Sequence, residues 1–292
     1  MLKHDRDVLL ILLLFFLSLF LCVNGEHFVL VHGNFHGAWC WYKVATLLKS
    51  AGHNVTTLDM AGCGINPKQM EEVDSISEYH QPLMTFMDSL PPNQKVILVG
   101  HSFGGISVSV AMEKFPEKIS IAVFVTAFVL SGNLAYPDLD KEINRRSGPL
   151  SDKQYFIFDG PDEAPRLSSD GFRFFASKLY QLSLDEDLML ASSLVRPLPV
   201  YAKDAKLITK ETKVTKGRNG RVAKVYIITE KDNLLTKDSQ MWIIEKTGPF
   251  ANVKVIEDSD HMVMFSKSKR LSSELIEIAY KYSLHSDRAL HF

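Results

Sequence analysis

The sequence predicts an α/β fold, in which a mostly parallel sheet carries helices on both faces. Short runs of β-branched and apolar residues alternate with amphipathic helical segments, first from Phe28 onward and again from Lys224. These runs are apolar at nearly every position, which is typical of parallel strands covered on both faces. Strands that alternate with helices in this way favour crossover connections within one sheet.

The first half of the chain contains four predicted strands. Each run is bounded by glycine, proline or polar residues, and the helical segments between them place their apolar side chains on one face. Pro91 and Pro92 end one helix, because proline cannot continue it. The predicted strands are Phe28–Val31, Val55–Leu58, Lys95–Val99 and Ile119–Phe124, and the predicted helices are Trp41–Lys49, Ser77–Leu90 and a segment ending at about Lys114.

The alternation is interrupted from residue 131 to about residue 222. This insertion lacks a strand pattern and contains helical segments at Phe172–Leu182 and Leu184–Leu194. A structureless connection of about 90 residues is not expected in a compact domain, so we predict a small helical cap. The alternation then resumes with strands Lys224–Thr229 and Val253–Ile256, a helix around Met241–Lys246 and a closing helix Leu271–Tyr282, so that an α/β domain spans 26–284 and a polar tail 285–292.

Residues 1–25 form a hydrophobic leader. The 16 residues from Val8 to Val23 are apolar except for Ser18, and Lys3 and Arg6 precede them. This pattern predicts a secretory signal peptide or a short signal anchor, and cleavage is favoured because a full membrane helix needs about 20 apolar residues. The leader therefore predicts the secretory pathway or an extracellular location. The alternatives are membrane anchoring, or a cytoplasmic protein that carries an upstream extension.

Charge and cysteine usage exclude several classes of function. The net charge is −1, from 33 basic and 34 acidic residues, which argues against a nucleic-acid partner. The three cysteines, Cys22, Cys40 and Cys63, form no CxxC pair, so we expect neither a zinc nor a redox site. Cys40 and Cys63 could pair in a secreted protein, although two free thiols are favoured. We expect no metal and no organic cofactor.

A glycine-rich turn follows the strongest predicted strand. Its sequence, Gly100-His101-Ser102-Phe103-Gly104, fits G-x-S-x-G and lies between a strand and a helix. That context is the nucleophile elbow of α/β-hydrolases, in which the serine occupies a strained turn above the sheet. We therefore predict Ser102 as the nucleophile and the Phe103 N–H as one donor of an oxyanion hole.

A serine hydroxyl needs a base, and in this fold the acid and the histidine follow the serine in the chain. His261 lies five residues after the last predicted strand, at the sheet edge where ligands bind. Asp232 follows the penultimate strand, but spacing alone leaves Glu230 and Asp238 as competitors for the acid. Asp260 adjoins His261 and would need an awkward backbone path to orient its ring.

A second glycine-rich turn follows the first strand, in the place of the oxyanion loop. It predicts the Asn34 N–H as the second oxyanion donor.

Several stretches resemble the plant methylesterase and hydroxynitrile lyase family of α/β-hydrolases over about residues 26–282. They are His32-Gly33 with Gly37-Ala38-Trp39-Cys40-Trp41-Tyr42-Lys43, Gly52-His53-Asn54-Val55-Thr56, Gly64-Ile65-Asn66-Pro67, Lys95-Val96-Ile97-Leu98-Val99-Gly100-His101-Ser102, Phe115-Pro116-Glu117-Lys118-Ile119, Lys178-Leu179-Tyr180-Gln181-Leu182, Ser193-Leu194-Val195-Arg196-Pro197 and Asp260-His261-Met262-Val263-Met264.

The resemblance implies Asp232, rather than Glu230, as the acid. It also implies one of three reactions: methyl ester hydrolysis, cyanohydrin cleavage or 3-keto acid decarboxylation. One type of hydroxynitrile lyase in this family has Thr at position 33, no His at 101 and Lys at 262, whereas this chain has Gly33, His101 and Met262. The decarboxylating relatives have lost the serine, which is present here. The resemblance therefore favours the esterase.

We expect a carboxylesterase that hydrolyses methyl esters of small plant acids of the jasmonate, salicylate or indole-acetate type through an acyl-enzyme. The pocket is expected between sheet and cap, with Phe128 and Leu179 among its walls. The alternatives are cyanohydrin cleavage, a non-catalytic small-molecule sensor and a decayed paralogue. Asn34 and Asn233-Leu234-Leu235-Thr236 depart from the family pattern, which leaves the substrate open. The expected partner is a small ester, and a monomer or a homodimer is compatible with the sequence.

Overall fold

Six parallel strands form the central sheet. The computed structural model describes residues 25–148, 155–160, 165–197 and 205–288. The strands lie in the order β2-β1-β3-β4-β7-β8, and every neighbouring pair is parallel. They are β1 (His27–Val31), β2 (Asn54–Leu58), β3 (Val96–His101), β4 (Ile119–Val125), β7 (Lys224–Thr229) and β8 (Asn252–Ile256). The predicted fold class is confirmed.

The helices of the α/β domain cover both faces of the sheet because its strands are apolar on both sides. Every residue of β3 and of β7 is buried. One core cluster joins the sheet to α3, α4 and α9, and a second joins it to α1 and α11. These helices are α1 (Tyr42–Ser50), α2 (Ile76–Tyr79), α3 (Gln81–Ser89), α4 (Gly104–Lys114), α9 (Lys237–Thr247), α10 (Val263–Ser266) and α11 (Ser268–Arg288).

The cap between β4 and β7 is mainly helical, as the insertion predicts. Its elements are α5 (Tyr136–Ser147), α6 (Ser169–Phe174) with a π turn (Phe175–Leu179), α7 (Asp185–Leu194), α8 (Ala205–Glu211) and strands β5 (Phe156–Ile157) and β6 (Arg166–Leu167). The cap also contains one short pair of strands, which the sequence pattern did not indicate. β5 and β6 pair antiparallel over only two residues each, too short a run to produce an alternating pattern in the sequence.

Two predicted helices differ from those observed. The segment Ser77–Leu90 is divided into α2 and α3 at His80, because Pro82 has no N–H with which to bond the carbonyl four residues before it. The closing helix runs to Arg288, into the segment assigned to the tail. Residues 1–24 and 289–292 lie outside the described residues, so the leader and the domain limits stay predictions. None of the described helices is long and apolar enough to cross a bilayer.

Cys40 and Cys63 are both buried and free. Burial raises the pKa of the Cys63 thiol to about 12, and burial likewise raises that of Cys40. Both side chains therefore belong to the core as neutral thiols, in agreement with the favoured alternative.

Candidate active site

The predicted site residues meet at the carboxyl edge of the sheet. Parallel strands end at the same edge, so the loops that follow them converge there. Asn34 follows β1, Ser102 follows β3, Asp232 follows β7 and His261 follows β8. The fold thus gathers residues that are as far as 227 positions apart in the sequence.

The turn after β3 has the geometry of a nucleophile elbow. Ser102 has φ +51°, a left-handed conformation that costs energy for any residue with a side chain. Glycine is required on either side of it. A Cβ atom on Gly100 would lie 2.7 Å from Val108 Cγ2, and one on Gly104 would collide with the His32 carbonyl oxygen. The turn leaves Ser102 only 8% exposed, at the surface of an internal cavity.

Asp232 and His261 form a buried pair. The His261 Nδ1–H donates to Asp232 Oδ2 at 2.7 Å. The same oxygen accepts from Thr126 Oγ1 at 2.7 Å and from Thr229 Oγ1 at 3.1 Å, while Oδ1 accepts from the Leu234 and Leu235 amides at 2.8 Å. Five donors hold one carboxylate, so it remains an acceptor that fixes the histidine tautomer and leaves Nε2 unprotonated.

The other carboxylates near the loop have different partners. Glu230 pairs with Lys237 at 3.3 Å and faces the surface, and Asp238 is 83% exposed. Asp260 accepts from the Leu182 amide at 3.0 Å, from Ser183 Oγ at 2.8 Å and from Ser266 Oγ at 2.6 Å. Of the four candidates, only Asp232 hydrogen-bonds to His261.

A cavity of about 530 Å³ opens between these loops and the cap. Ser102 and His261 both line it, as do the two predicted pocket residues, Phe128 and Leu179. Much of the remaining wall is aromatic or aliphatic, with contributions from Phe103, Phe174, Ile143, Ile208, Leu234 and Leu235. A pocket of this size and lining suits a small, largely apolar molecule.

His101 stands beside His261 in the cavity wall. Its Nε2–H donates to the His261 carbonyl oxygen at 2.9 Å, and the two ring centroids are 4.8 Å apart. Burial, and then the neighbouring His261, lower the pKa of His101 well below its ordinary value. A neutral His101 therefore holds the backbone of His261 without adding a second positive charge.

The two residues whose amides are the predicted oxyanion donors lie beside Ser102 in the cavity wall. Phe103 and Asn34 both line it, and within the described ranges neither of their N–H groups donates to another backbone group. Phe103 also precedes the first residue of α4, where the helix dipole favours negative charge. The role of these two amides as oxyanion donors stays a prediction.

The loop that carries Asn34 is held by two buried histidines. The His32 Nδ1–H donates to the Gly33 carbonyl at 2.8 Å, and its Nε2 accepts from the Met60 amide at 3.1 Å. The His36 Nδ1–H donates to the Asn34 carbonyl at 2.8 Å, and its Nε2 accepts from the Tyr180 hydroxyl at 2.7 Å. Burial lowers the pKa of His36 to about 3, so the ring is neutral. Its two hydrogen bonds then fix one tautomer and connect the cap to the oxyanion loop.

The cap is joined to the base loop as well. Asp260 ties the 182–183 segment to the residue before His261, and the Met262 amide donates to the Leu179 carbonyl at 3.2 Å. Lys43 on α1 pairs with the buried Asp187 of the cap at 2.7 Å. The cap forms the roof of the cavity, and the loops at the carboxyl edge of the sheet form its floor. Roof and floor are therefore connected at several points.

Some residues of this site were not identified from the sequence. Thr126, at φ +39°, and Thr229 both donate to Asp232, but nothing in their sequence pattern distinguishes them from other strand-end threonines. His36 lies between Asn34 and Gly37 in the oxyanion turn but had no predicted role, and Tyr180 lies in a stretch of the cap that resembles the family. The resemblance to the family was the available indication that His36 and Tyr180 belong to the site.

Comparison with known proteins agrees with this geometry. The alpha/beta hydrolase family matches residues 28–274. Methyl jasmonate esterase 1 of Vitis vinifera is 51% identical over 259 residues, 88% of this chain and 98% of that protein. Salicylic acid-binding protein 2 of Nicotiana tabacum is 41% identical over 262 residues, 89% and 99% of the two chains.

A solved structure is similar over the same region. The crystal structure of tomato methylketone synthase I complexed with 2-tridecanone has a TM-score of 0.79 and 44% sequence identity, and the match covers 88% of this chain and 99% of that one. These similarities confirm the resemblance that the motifs indicate. The chain therefore belongs to the α/β-hydrolase family and, within it, to the plant methylesterase group.

Proposed function

We propose that this protein is a carboxylesterase that hydrolyses methyl esters of small plant acids. The observation that carries the proposal is that Ser102 and His261 line the same cavity. Ser102 lies in a strained turn, and His261 is hydrogen-bonded to the buried Asp232. Relatives named as methyl jasmonate esterase and methylesterase support the reaction class. The acid part is of the jasmonate, salicylate or indole-acetate type, which a largely apolar cavity of about 530 Å³ can hold.

In the proposed reaction, His261 acts as general base. Its Nδ1 proton is held by Asp232, so Nε2 accepts the proton of Ser102 as the hydroxyl oxygen attacks the ester carbonyl. The new C–O bond places a negative charge on the carbonyl oxygen, and the Asn34 and Phe103 amides stabilise it. Asp232 stabilises the imidazolium that has formed.

Three further proton transfers complete the cycle. His261 gives its proton to the methoxy oxygen, the C–O bond to that oxygen breaks, and methanol leaves an acyl group on Ser102. Water then attacks the acyl carbon while His261 takes one of its protons. The tetrahedral intermediate collapses, the proton returns to Ser102, and the free acid leaves. The described residues supply every group that these steps need.

Cyanohydrin cleavage is less well supported. The lyase residue at position 33 is threonine, but a Cβ atom on Gly33 would lie 2.7 Å from Ser102 Cβ and 3.0 Å from His101 Nδ1. The first distance is shorter than a Cβ atom tolerates, and the second is tighter than most Cβ contacts. Met262 is fully buried, so it presents no group to a departing anion. These contacts favour the ester over the cyanohydrin.

The test is a substrate panel on protein that lacks residues 1–25. Methyl jasmonate, methyl salicylate, methyl indole-3-acetate and mandelonitrile are compared with wild type and Ser102→Ala. We expect acid and methanol in equal amounts from at least one ester, and a loss of at least about 10³-fold in Ser102→Ala. Undiminished hydrolysis by Ser102→Ala would overturn the mechanism. Cyanide release from mandelonitrile without ester hydrolysis would favour the lyase, and tight binding without turnover would favour a sensor.

We also propose that residues 1–25 direct the chain into the secretory pathway. The support is the run from Val8 to Val23, which is apolar except for Ser18 and follows Lys3 and Arg6. N-terminal sequencing of the protein from its native host should find a chain that begins near Glu26. A cytosolic protein that still begins at Met1 would contradict this location.

We also propose that the protein forms a homodimer. Analytical ultracentrifugation at several protein concentrations would measure its oligomeric state.

A further inference from the structure

The cap helix α5 presents a polar stripe to the cavity. Tyr136, Asp140 and Asn144 are spaced four residues apart, so they lie on one face of the helix, and all three line the cavity. The neighbouring face buries Leu139 and Ile143 in the core. The packing of this helix is supplied by Leu139 and Ile143, so the polar stripe is not needed for it.

Asp140 is the unusual member of the stripe. Its carboxylate accepts one hydrogen bond, from Asn144 Nδ2 at 3.0 Å, and it has no cationic partner among the described residues. Glu142 of the same helix, by contrast, pairs with Arg145 and Arg146. Asp140 is about half-buried, and burial raises its pKa. A carboxylate has about four acceptor positions, so most of those on Asp140 are unused.

The stripe is coupled to the reacting end of the cavity. The Tyr136 ring packs edge-on against Phe103, the residue after Ser102, with centroids 5.9 Å apart at 90°. A ligand whose ester lies at Ser102 therefore extends toward Tyr136, and beyond it along the helix toward Asp140. Asp140 offers an acceptor to the far end of the acid part, in a cavity that Lys178 and Asn233 also line.

We propose that Asp140, held by Asn144, is a subsite for a hydrogen-bond donor on the acid part of the substrate. The protein then selects methyl esters of acids that carry an N–H or O–H group remote from the ester, such as a ring N–H. Acids whose remote polar group is only an acceptor are disfavoured, because a carboxylate repels them. This inference rests on the proposed esterase function.

The test compares two esters that differ in one donor, methyl indole-3-acetate and methyl 1-methylindole-3-acetate. In wild type we expect kcat/KM to favour the N–H ester by about tenfold or more, because a hydrogen bond to a charged acceptor is strong. Asp140→Leu should bring the ratio close to one. Asp140→Asn keeps the shape and one acceptor, and it should lower the ratio severalfold. Asp138→Leu, an exposed carboxylate on the same helix, should leave it unchanged.

Binding separates this subsite from the reaction. The dissociation constants of the same two esters are measured by calorimetry on Ser102→Ala, with and without Asp140→Leu. A ratio near one in the wild type, or one that Asp140→Leu leaves unchanged while hydrolysis persists, would overturn the subsite alone. Selective binding by Ser102→Ala in a protein that hydrolyses no ester would overturn the proposed function and support the subsite.

Discussion

The floor and the roof of the cavity are built differently. On the floor, Asp232 accepts five hydrogen bonds, and Ser102 is fixed by glycines that tolerate no side chain. On the roof, Asp140 has one partner and most of its acceptor positions are unused. A fully satisfied group is held in one geometry, whereas a partly satisfied group is available to a ligand. The comparison assigns the chemistry to the floor and the choice of substrate to the roof.

The largest effect should follow from removing the charge that orients the base. Asp232→Asn would replace the acceptor of the His261 Nδ1–H with a group that favours the wrong tautomer, so kcat should fall about 10⁴-fold. Glu230→Gln is the matched control, because Glu230 lies two residues away and pairs only at the surface. Steady-state kinetics on an ester substrate measure both. Equal losses in the two variants would refute the assignment of the acid.

A smaller loss of kcat is expected from placing a methyl group against the turn that carries Ser102. Gly33→Ala places a methyl group 2.7 Å from Ser102 Cβ, and a displacement of about 1 Å at a reacting group costs about 10²-fold in rate. Gly217→Ala, where a Cβ atom meets nothing within 4 Å, should leave kcat unchanged. Full activity of Gly33→Ala would show that the floor is less rigid than its contacts indicate.

The connection between roof and floor can be tested at Tyr180. Tyr180→Phe removes the hydroxyl that donates to His36 Nε2, which leaves a buried acceptor without a partner at a cost of about 1–3 kcal/mol. Because His36 positions the Asn34 carbonyl, we expect kcat to fall about tenfold while KM changes little. Tyr42→Phe, at a tyrosine that is 46% exposed, is the control. A change in KM alone would show that Tyr180 contacts substrate instead of positioning the loop.

The smallest effect on activity is expected at the opposite edge of the sheet. Lys224 begins β7, and burial lowers its pKa from 10.5 to about 8. Between these two pH values the unfolded chain binds more protons than the folded chain, so this residue makes stability rise with pH. The wild type should therefore gain stability relative to Lys224→Met as pH increases from about 8 to 10.5, with no such trend below pH 8.

In the same variant, kcat should stay within about twofold of wild type, because distant sites act independently. Denaturant unfolding across this pH range measures the stability difference. A difference that does not change with pH would contradict the lowered pKa of Lys224.

The two regions also differ in how far the sequence predicts them. The floor follows from local patterns, since apolar strands end in glycine turns that carry Ser102 and His261, and parallel strands bring such turns together. Asp232 needed the family motifs, because Glu230 has similar spacing. Thr126 and Asp140 could not be predicted, because their roles depend on which side chains the fold places opposite them. The left-handed backbone of Asp258, at φ +51°, was likewise not predicted, because glycine is the residue that favours this conformation.

The central claim is that the reaction takes place on the floor of the cavity, at Ser102. The most direct test is to identify the residue that carries the acyl group. The protein is mixed with a p-nitrophenyl ester, quenched in acid within milliseconds and digested for mass spectrometry. We expect a burst of p-nitrophenol equal to the enzyme concentration and an acyl group on the peptide that contains Ser102, both absent in Ser102→Ala. An acyl group on another residue, or full turnover by Ser102→Ala, would contradict the account.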